Sequence, residues 1–473
     1  LLENLEGRLL LYSTLGAQFV YGSRITYSFV PDGADIGGYS NVLFQTLNSR
    51  FPTAAWQLQF QKAAAVWQAV ANINLVQVSD DGSPLGADGD QQGDPRFGDI
   101  RFSAIPQSSA TMAVCFLPPP INGGSDAGDI VLNSTVSWQI NSPYDLETVA
   151  IHEIGHALGM GHSQISTACM YASYNGTKQS LSSDDISGIQ SIWQAPQPDQ
   201  FNSNGQSNAT YSRAANITSY IDANGQIAIP NLRLQSGSQV EWFSVTVPRT
   251  TTGTLVATVQ GTDLSLLSPR VSVFTTGLSL LGDVSSSCYG GTATVFIGGV
   301  QPGQTYLIRA VGNASVNPTG GFGLELNFGS VYQPPIPPPN TVVLQQPDRG
   351  GGGITAPMIA VGRHAGYGEA LTPAFLSSGP PVGWPPSNSP AGSGAAGYAG
   401  PLMTTVDVTP APGTPADVLV VSGTAAPILP DVQAQAAGLD VLQALDNVLS
   451  SWRPRNIGTL FQAPGSADDV FLS

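Results

Sequence analysis

Three of the chain's four histidines lie in one run of eleven residues, His152-Glu153-Ile154-Gly155-His156-Ala157-Leu158-Gly159-Met160-Gly161-His162. On a helix, His152 and His156 project from one face, four residues apart, and can bind a single ion. Glu153 lies next to them but about 100° round the helix, where it can touch a water at the metal without ligating the metal itself. Gly159 permits the sharp turn that positive φ allows, and that turn would return His162 as a third ligand. Three neutral imidazoles with one position left open describe a catalytic zinc site rather than a closed structural one. The chemistry to expect is hydrolysis, with Glu153 as general base.

Such a site needs a rigid helix and a core beneath it. Leu146, Val149, Ala150, Ala157 and Leu158 recur at helical spacing through the motif. Ser142 followed by Pro143 reads as the cap and first residue of that helix. Trp56, Phe60, Ala63, Trp67 and Val70 mark an amphipathic helix with an aromatic face, and Leu75 to Val78 reads as the strand after it. Met170 follows His162 by eight residues, in Ala168-Cys169-Met170-Tyr171.

The histidine motif with a following methionine turn resembles the metzincin metallopeptidases. Ser163 after the third histidine, and Ala172 where related families place a zinc-reaching tyrosine, make it similar to the matrixin branch. Leu181 to Trp193 resembles the closing helix of the matrixin domain, and Ile25 to Phe29 its opening strand. Gly98 to Phe102 and Ala113 to Pro118 resemble two further strands, so the likeness covers roughly residues 23 to 194. It implies an α+β zincin-like fold, a twisted mixed sheet plus an active-site helix, and the activity of a zinc metalloendopeptidase. It also implies one catalytic zinc on His152, His156 and His162, and Met170 as an apolar floor beneath it. Ala113, Val114, Cys115 and Phe116 would pair with an extended substrate as an added strand. Val114 and Val131 stand where two histidines of a second, structural zinc would fall, so one zinc is expected. Ala172 also replaces a proline of the family pattern, so the resemblance does not set the shape of the specificity-pocket wall.

Lys and Arg total 16 against 32 Asp and Glu, a net charge of −16. That balance argues against nucleic acid or an anionic membrane as partner. No apolar window is long enough to span a membrane. The chain is poor in charge and rich in Gly and Pro, which suggests a secreted or surface bacterial protein whose export signal would precede Leu1. Cys115, Cys169 and Cys288 form no disulfide framework. Cys115 and Cys169 are expected to be buried, with a bridge between them left open. The loop from Asp80 to Asp99 carries Asp81, Asp88, Asp90 and Asp94. It reads as a solvated acidic loop, with calcium binding as the other reading. Asp126 and Asp129 are a second calcium candidate, because matrixins bind calcium in the corresponding loop.

Four regions follow from the resemblance and from the changes of composition after it: a leader at 1–22, the peptidase domain at 23–195, an accessory domain at 196–329 and a tail at 330–473. Hydrophobic runs at Val240–Val247, Thr254–Val259, Arg270–Phe274, Ala293–Ile297, Tyr306–Val311 and Phe322–Phe328 suggest an antiparallel β-sandwich. The Pro/Gly-rich tail is expected to be disordered to about residue 429, with His364 outside any site. Leu439, Leu442, Leu445, Leu449 and Trp452 allow a helix over 431–452. The functional reading is an endopeptidase acting on extracellular proteins or peptides. Its rival is a surface adhesin or scaffold with a catalytically silent metzincin domain.

Overall fold

The computed structural model describes residues 12–344, 358–363 and 420–421. The helix expected over 431–452 and His364 lie outside these residues. The first body contains β1 (Ile25–Phe29), β2 (Asp35–Ile36), β3 (Tyr39–Ser40), α1 (Leu43–Asn48), α2 (Thr53–Val70), β4 (Leu75–Gln77), β5 (Ile100–Ile105), β6 (Thr111–Phe116), β7 (Ile130–Asn133), α3 (Leu146–Ala157), β8 (Ser173–Tyr174) and α4 (Ser183–Trp193). The second contains β9 (Ala215–Asn216), β10 (Gln226–Leu234), β11 (Val240–Thr246), β12 (Thr254–Gln260), β13 (Pro269–Thr275), β14 (Leu280–Ser285), β15 (Thr292–Gly298), β16 (Thr305–Gly312) and β17 (Gly320–Asn327). Two later strands, β18 (Met358–Arg363) and β19 (Val420–Val421), join one body each.

The first body is built on a mixed sheet of order β4-β1-β5-β7-β6-β18-β8. β4, β1, β5 and β7 run parallel, and β6 turns antiparallel to β7. β1, β5 and β7 are buried at every residue, as strands covered on both faces must be. The aromatic face of α2 packs onto this sheet, with Trp56 5.0 Å from Phe29 and Phe60 4.6 Å from Phe102, ring centre to ring centre. Trp67, on the same face, donates its indole N–H to the Ile151 carbonyl at 2.9 Å and so ties α2 to α3. Alternation along β6 puts Ala113 and Cys115 in this main core, while Val114 and Phe116 join a smaller cluster with Val30, Ile36, Ile105 and Val131. Val114 and Val131 face each other across β6 and β7 in that apolar cluster.

Several sequence expectations need correction. The cap of α3 is Asp145, whose carboxylate accepts from the Thr148 N–H at 2.9 Å; Ser142 and Pro143 lie outside the helix. Tyr144, at φ 67°, turns the chain between them. The acidic loop is not simply solvated. Asp81 and Asp88 are exposed, but Asp94 is buried against Arg96, and Asp80 makes a buried two-pronged pair with Arg101 at 2.9 and 2.7 Å. Arg101 lies on β5, so the pair fastens the loop to the sheet. Residues placed in the leader are built in: Leu15 donates to the Gly159 carbonyl at 2.8 Å, and Phe19 is fully buried. The cysteines need no correction: all three are free, and Cys115 and Cys169 are buried as expected.

In the second body, two five-stranded sheets, β10-β17-β12-β15-β19 and β14-β13-β16-β11-β9, share one apolar core. The six hydrophobic runs coincide with β11, β12, β13, β15, β16 and β17, with Val247 and Phe328 lying one residue past their strands. β10 carries no such run, because its register slips between Ile229 and Leu232 around Pro230 and Asn231. β14 is masked by Gly282 and Asp283 and by the exposed Leu280. The bodies meet at the C-terminal end of α2. There the Arg233 guanidinium donates to the Ala71 and Ile73 carbonyls, and the Gln68 amide oxygen accepts from Leu75 and Leu266. β18 and β19 lie in the stretch expected to be disordered; sheet-edge pairing, which composition does not encode, orders them.

Candidate metal centre and its cleft

α3 is buried along its whole length, so the histidines it carries are presented by a helix gripped on all sides. His152 and His156 sit one turn apart, with their Nε2 atoms 2.9 Å from each other. Gly159 ends the helical run at φ 101°, and a Cβ there would collide with the Ala17 carbonyl oxygen. The turn is strapped from outside: Gly161 donates to the Ser13 carbonyl, and the Ser13 hydroxyl donates to the His162 carbonyl, each at 2.8 Å. His162 is thereby returned to the cluster, and the ligating atoms of the three histidines all lie within 4.8 Å of one another.

Two carbonyls decide what these rings offer. The His152 Nδ1 is 2.8 Å from the Cys169 oxygen, and the His156 Nδ1 is 2.8 Å from the Met160 oxygen. A carbonyl only accepts, so both Nδ1 atoms carry the proton and both Nε2 atoms present lone pairs. Two lone pairs facing each other in a buried site repel unless a cation lies among them. The His162 Nε2 is likewise buried and has no hydrogen-bond partner. The donor set therefore fits a zinc ion held by three imidazoles, with a position left for water or substrate.

Burial sets the charge state. Desolvation, aided by His162, lowers the His152 pKa to about 3, and desolvation lowers His162 to about 4. His156 is driven well below the ordinary range by desolvation and its two neighbours. Lowered pKa values keep the neutral, ligating form above pH 4, so protons compete with metal only below that. Zinc retention by the folded protein is expected to be nearly flat from pH 8 to 5 and to collapse below about pH 4. Equilibrium dialysis against a chelator checks this, and a midpoint near pH 6.5 would contradict it.

Glu153 is fully buried, and neither carboxylate oxygen has a hydrogen-bond partner. Desolvation raises its pKa well above the usual range, opposed only by the backbone N–H of Val361, which faces it. A carboxyl so placed takes up a proton readily. Met170 is fully buried, and its sulfur occupies the space that a side chain at Gly155 would fill. Beside His152 lies a pocket lined by Thr148, Val149, Tyr171, Tyr174, Lys178 and Val361. Tyr174 accepts at its hydroxyl from the Asp145 N–H, which links the pocket wall to the cap of α3.

Asp126 and Asp129 stand apart from the histidines, in the turn before β7. Asp129 accepts from the Arg101 N–H through one oxygen, while its other is buried without a partner. Sequence reasoning did not assign roles to Asp184 and Asp185. Asp185 closes a capping box with Ser182 at the start of α4, and it also accepts from the Cys169 and Met170 N–H groups at 2.9 and 3.1 Å. Asp184 accepts from the Ser163 hydroxyl at 2.6 Å, next to His162. The capping pattern was visible in Leu181-Ser182-Ser183-Asp184-Asp185; its reach to the methionine turn was not.

Residues 40–194 match the matrixin family model. Karilysin of Tannerella forsythia is 37% identical over 130 residues, 26% of this chain and 26% of its own length. Metalloendoproteinase 2-MMP of Arabidopsis thaliana is 32% identical over 146 residues, 28% of this chain and 37% of its own. Interstitial collagenase of Equus caballus is 33% identical over 144 residues, 30% of this chain and 29% of its own. The matched stretch thus spans only a quarter to somewhat over a third of these relatives.

Proposed function

Because residues 40–194 form a matrixin-like metallopeptidase domain, we propose that the chain is a zinc-dependent endopeptidase acting on extracellular proteins or peptides. The observation that carries this reading is the convergence of lone pairs from His152, His156 and His162 beside a buried carboxylate with no partner. These three histidines would hold the metal, with Met170 packed beneath them. A zinc ion bound there supplies a Lewis acid for the scissile carbonyl and makes water a nucleophile near neutral pH. Glu153 takes the proton from the attacking water and hands it to the nitrogen of the leaving amine. Ala113 to Phe116 on β6 hold an extended substrate by strand addition, on the side where β18 pairs in this structure, and the pocket beside His152 takes the side chain that follows the cleaved bond.

The boundaries at residues 195 and 329 belong to this reading, as does a calcium ion at Asp126 and Asp129, supported by the partnerless Asp129 oxygen. So does secretion; among the described residues no helix is long and apolar enough to cross a membrane. The intact Glu153 disfavours the silent adhesin. Casein or a peptide library incubated with the purified full chain is expected to be cut, and a chelator to stop the cutting. No cleavage of any peptide at one zinc per chain would overturn the assignment.

A further inference from the structure

β18 follows the proline-rich stretch, yet it lies between β6 and β8 in the sheet of the first body. It pairs antiparallel with β6, from Met358 opposite Phe116 to Gly362 opposite Thr111. It pairs parallel with β8, Gly362 opposite Ser173 and Arg363 opposite Tyr174. It thus uses the backbone groups on β6 that an extended substrate would use. Ile359 and Val361, two residues apart, face the same core as their partners Cys115 and Ala113. Val361 is 3% exposed and lines the pocket beside His152, with Thr148, Val149 and Tyr174.

The register then identifies one bond. When water cleaves a peptide, the nitrogen of the residue after the broken bond becomes the leaving amine and must be protonated. Val361 lines the pocket beside His152, the neighbour of Glu153 on α3, which puts its nitrogen on the side where the proton donor has to be. Its side chain sits in the pocket on the leaving-group side. The Ala360–Val361 bond is therefore presented to the histidines and Glu153 as a substrate bond would be. Nearby anchors make the encounter intramolecular: Ile336 is buried on the second body, and the Val343 carbonyl accepts from the Gln91 and Gln92 N–H groups at 2.7 and 3.4 Å while the Val343 N–H donates to the Gln92 carbonyl at 2.7 Å. Tethering of that kind gives a segment a high effective concentration at its site.

We propose that the Ala360–Val361 bond is an intramolecular substrate of this site, cut in cis to separate residues 361–473, and that β18 blocks the cleft until then. Water adds across the bond: its oxygen joins the Ala360 carbonyl carbon to give a carboxylate, the C–N bond breaks, and Glu153 delivers a proton to the Val361 amine. The proposal rests on the peptidase reading, so its test has a readout independent of cleavage.

The full chain is followed by intact mass and N-terminal sequencing. A fragment beginning at Val361 is expected, at a rate per molecule independent of protein concentration and absent in Glu153→Gln. Amide hydrogen exchange of residues 111–116 is then compared in Glu153→Gln alone and with Val361→Asp added. Exchange at least tenfold faster in the double variant is expected, because a buried charge in the pocket expels β18. Val361→Asp with Glu153 intact is expected to cut an added peptide about tenfold faster at early times. A chain that cuts casein but leaves 360–361 intact would overturn the proposal while sparing the peptidase reading. Equal exchange in the two variants would overturn the docking itself. A chain that cuts neither casein nor itself would overturn both readings.

Discussion

Glu153→Gln is expected to lower peptide cleavage by about 10²–10⁴-fold while zinc stays at one per chain. Glutamine keeps the shape of the side chain but cannot take a proton from water or pass one on. The orientation of His152 and His156 does not depend on it, because their rings are held by the Cys169 and Met160 carbonyls. Stability should hold or rise, since the wild-type carboxylate is fully buried with both oxygens unpaired and its ionisation is opposed by desolvation. Steady-state kinetics on a library-selected peptide, metal analysis and a melting curve together check this. Cleavage within a few-fold of wild type would remove Glu153 from the proton-transfer role. Loss of zinc would instead make it part of the metal's support.

Asp185→Ala should have the next largest effect, through the metal rather than the chemistry. This carboxylate accepts from the Cys169 and Met170 backbone N–H groups and from the Ser182 N–H and hydroxyl. It therefore fixes the backbone whose carbonyl orients His152. Without it, two buried N–H groups lose their acceptor at about 1–3 kcal/mol each, and α4 loses its cap. Zinc affinity is expected to fall about 10–100-fold, the usual cost of losing support behind a ligand. A purely structural role would lower the melting temperature but leave the zinc affinity of the folded fraction unchanged. Titration with a zinc-competing dye separates the two, and Asp185→Asn, which keeps an acceptor, should recover part of the affinity.

These variants also mark how far the sequence could be read. His152, Glu153, His156, Gly159 and His162 declare their chemistry by spacing alone, because helical geometry turns an interval of four into a shared face. The α2 stripe from Trp56 to Val70 and the six runs of the second body were legible for the same reason: burial imposes a period. β10 was hidden because a bulge at Pro230 and Asn231 breaks that period. The cap of α3 was misplaced because the turn at Tyr144, with its positive φ, lets Asp145 rather than Ser142 reach the free N–H groups. Asp94 looked solvated by composition, although its partner Arg96 is only two residues away.

The sequence by itself determined a three-histidine metal motif with a carboxylate beside it, a matrixin-like domain around it and a strand-rich second region. All of these depend on local order along the chain. Only the tertiary structure decided that Cys169 and Met160 set the imidazole tautomers, that Asp184 and Asp185 brace the ligand loop, and that β18 closes the edge of β6. The physical reason is the same in each case. A carbonyl, a carboxylate or a strand edge becomes a partner through position in space, and distant segments acquire that position only when the core brings them together.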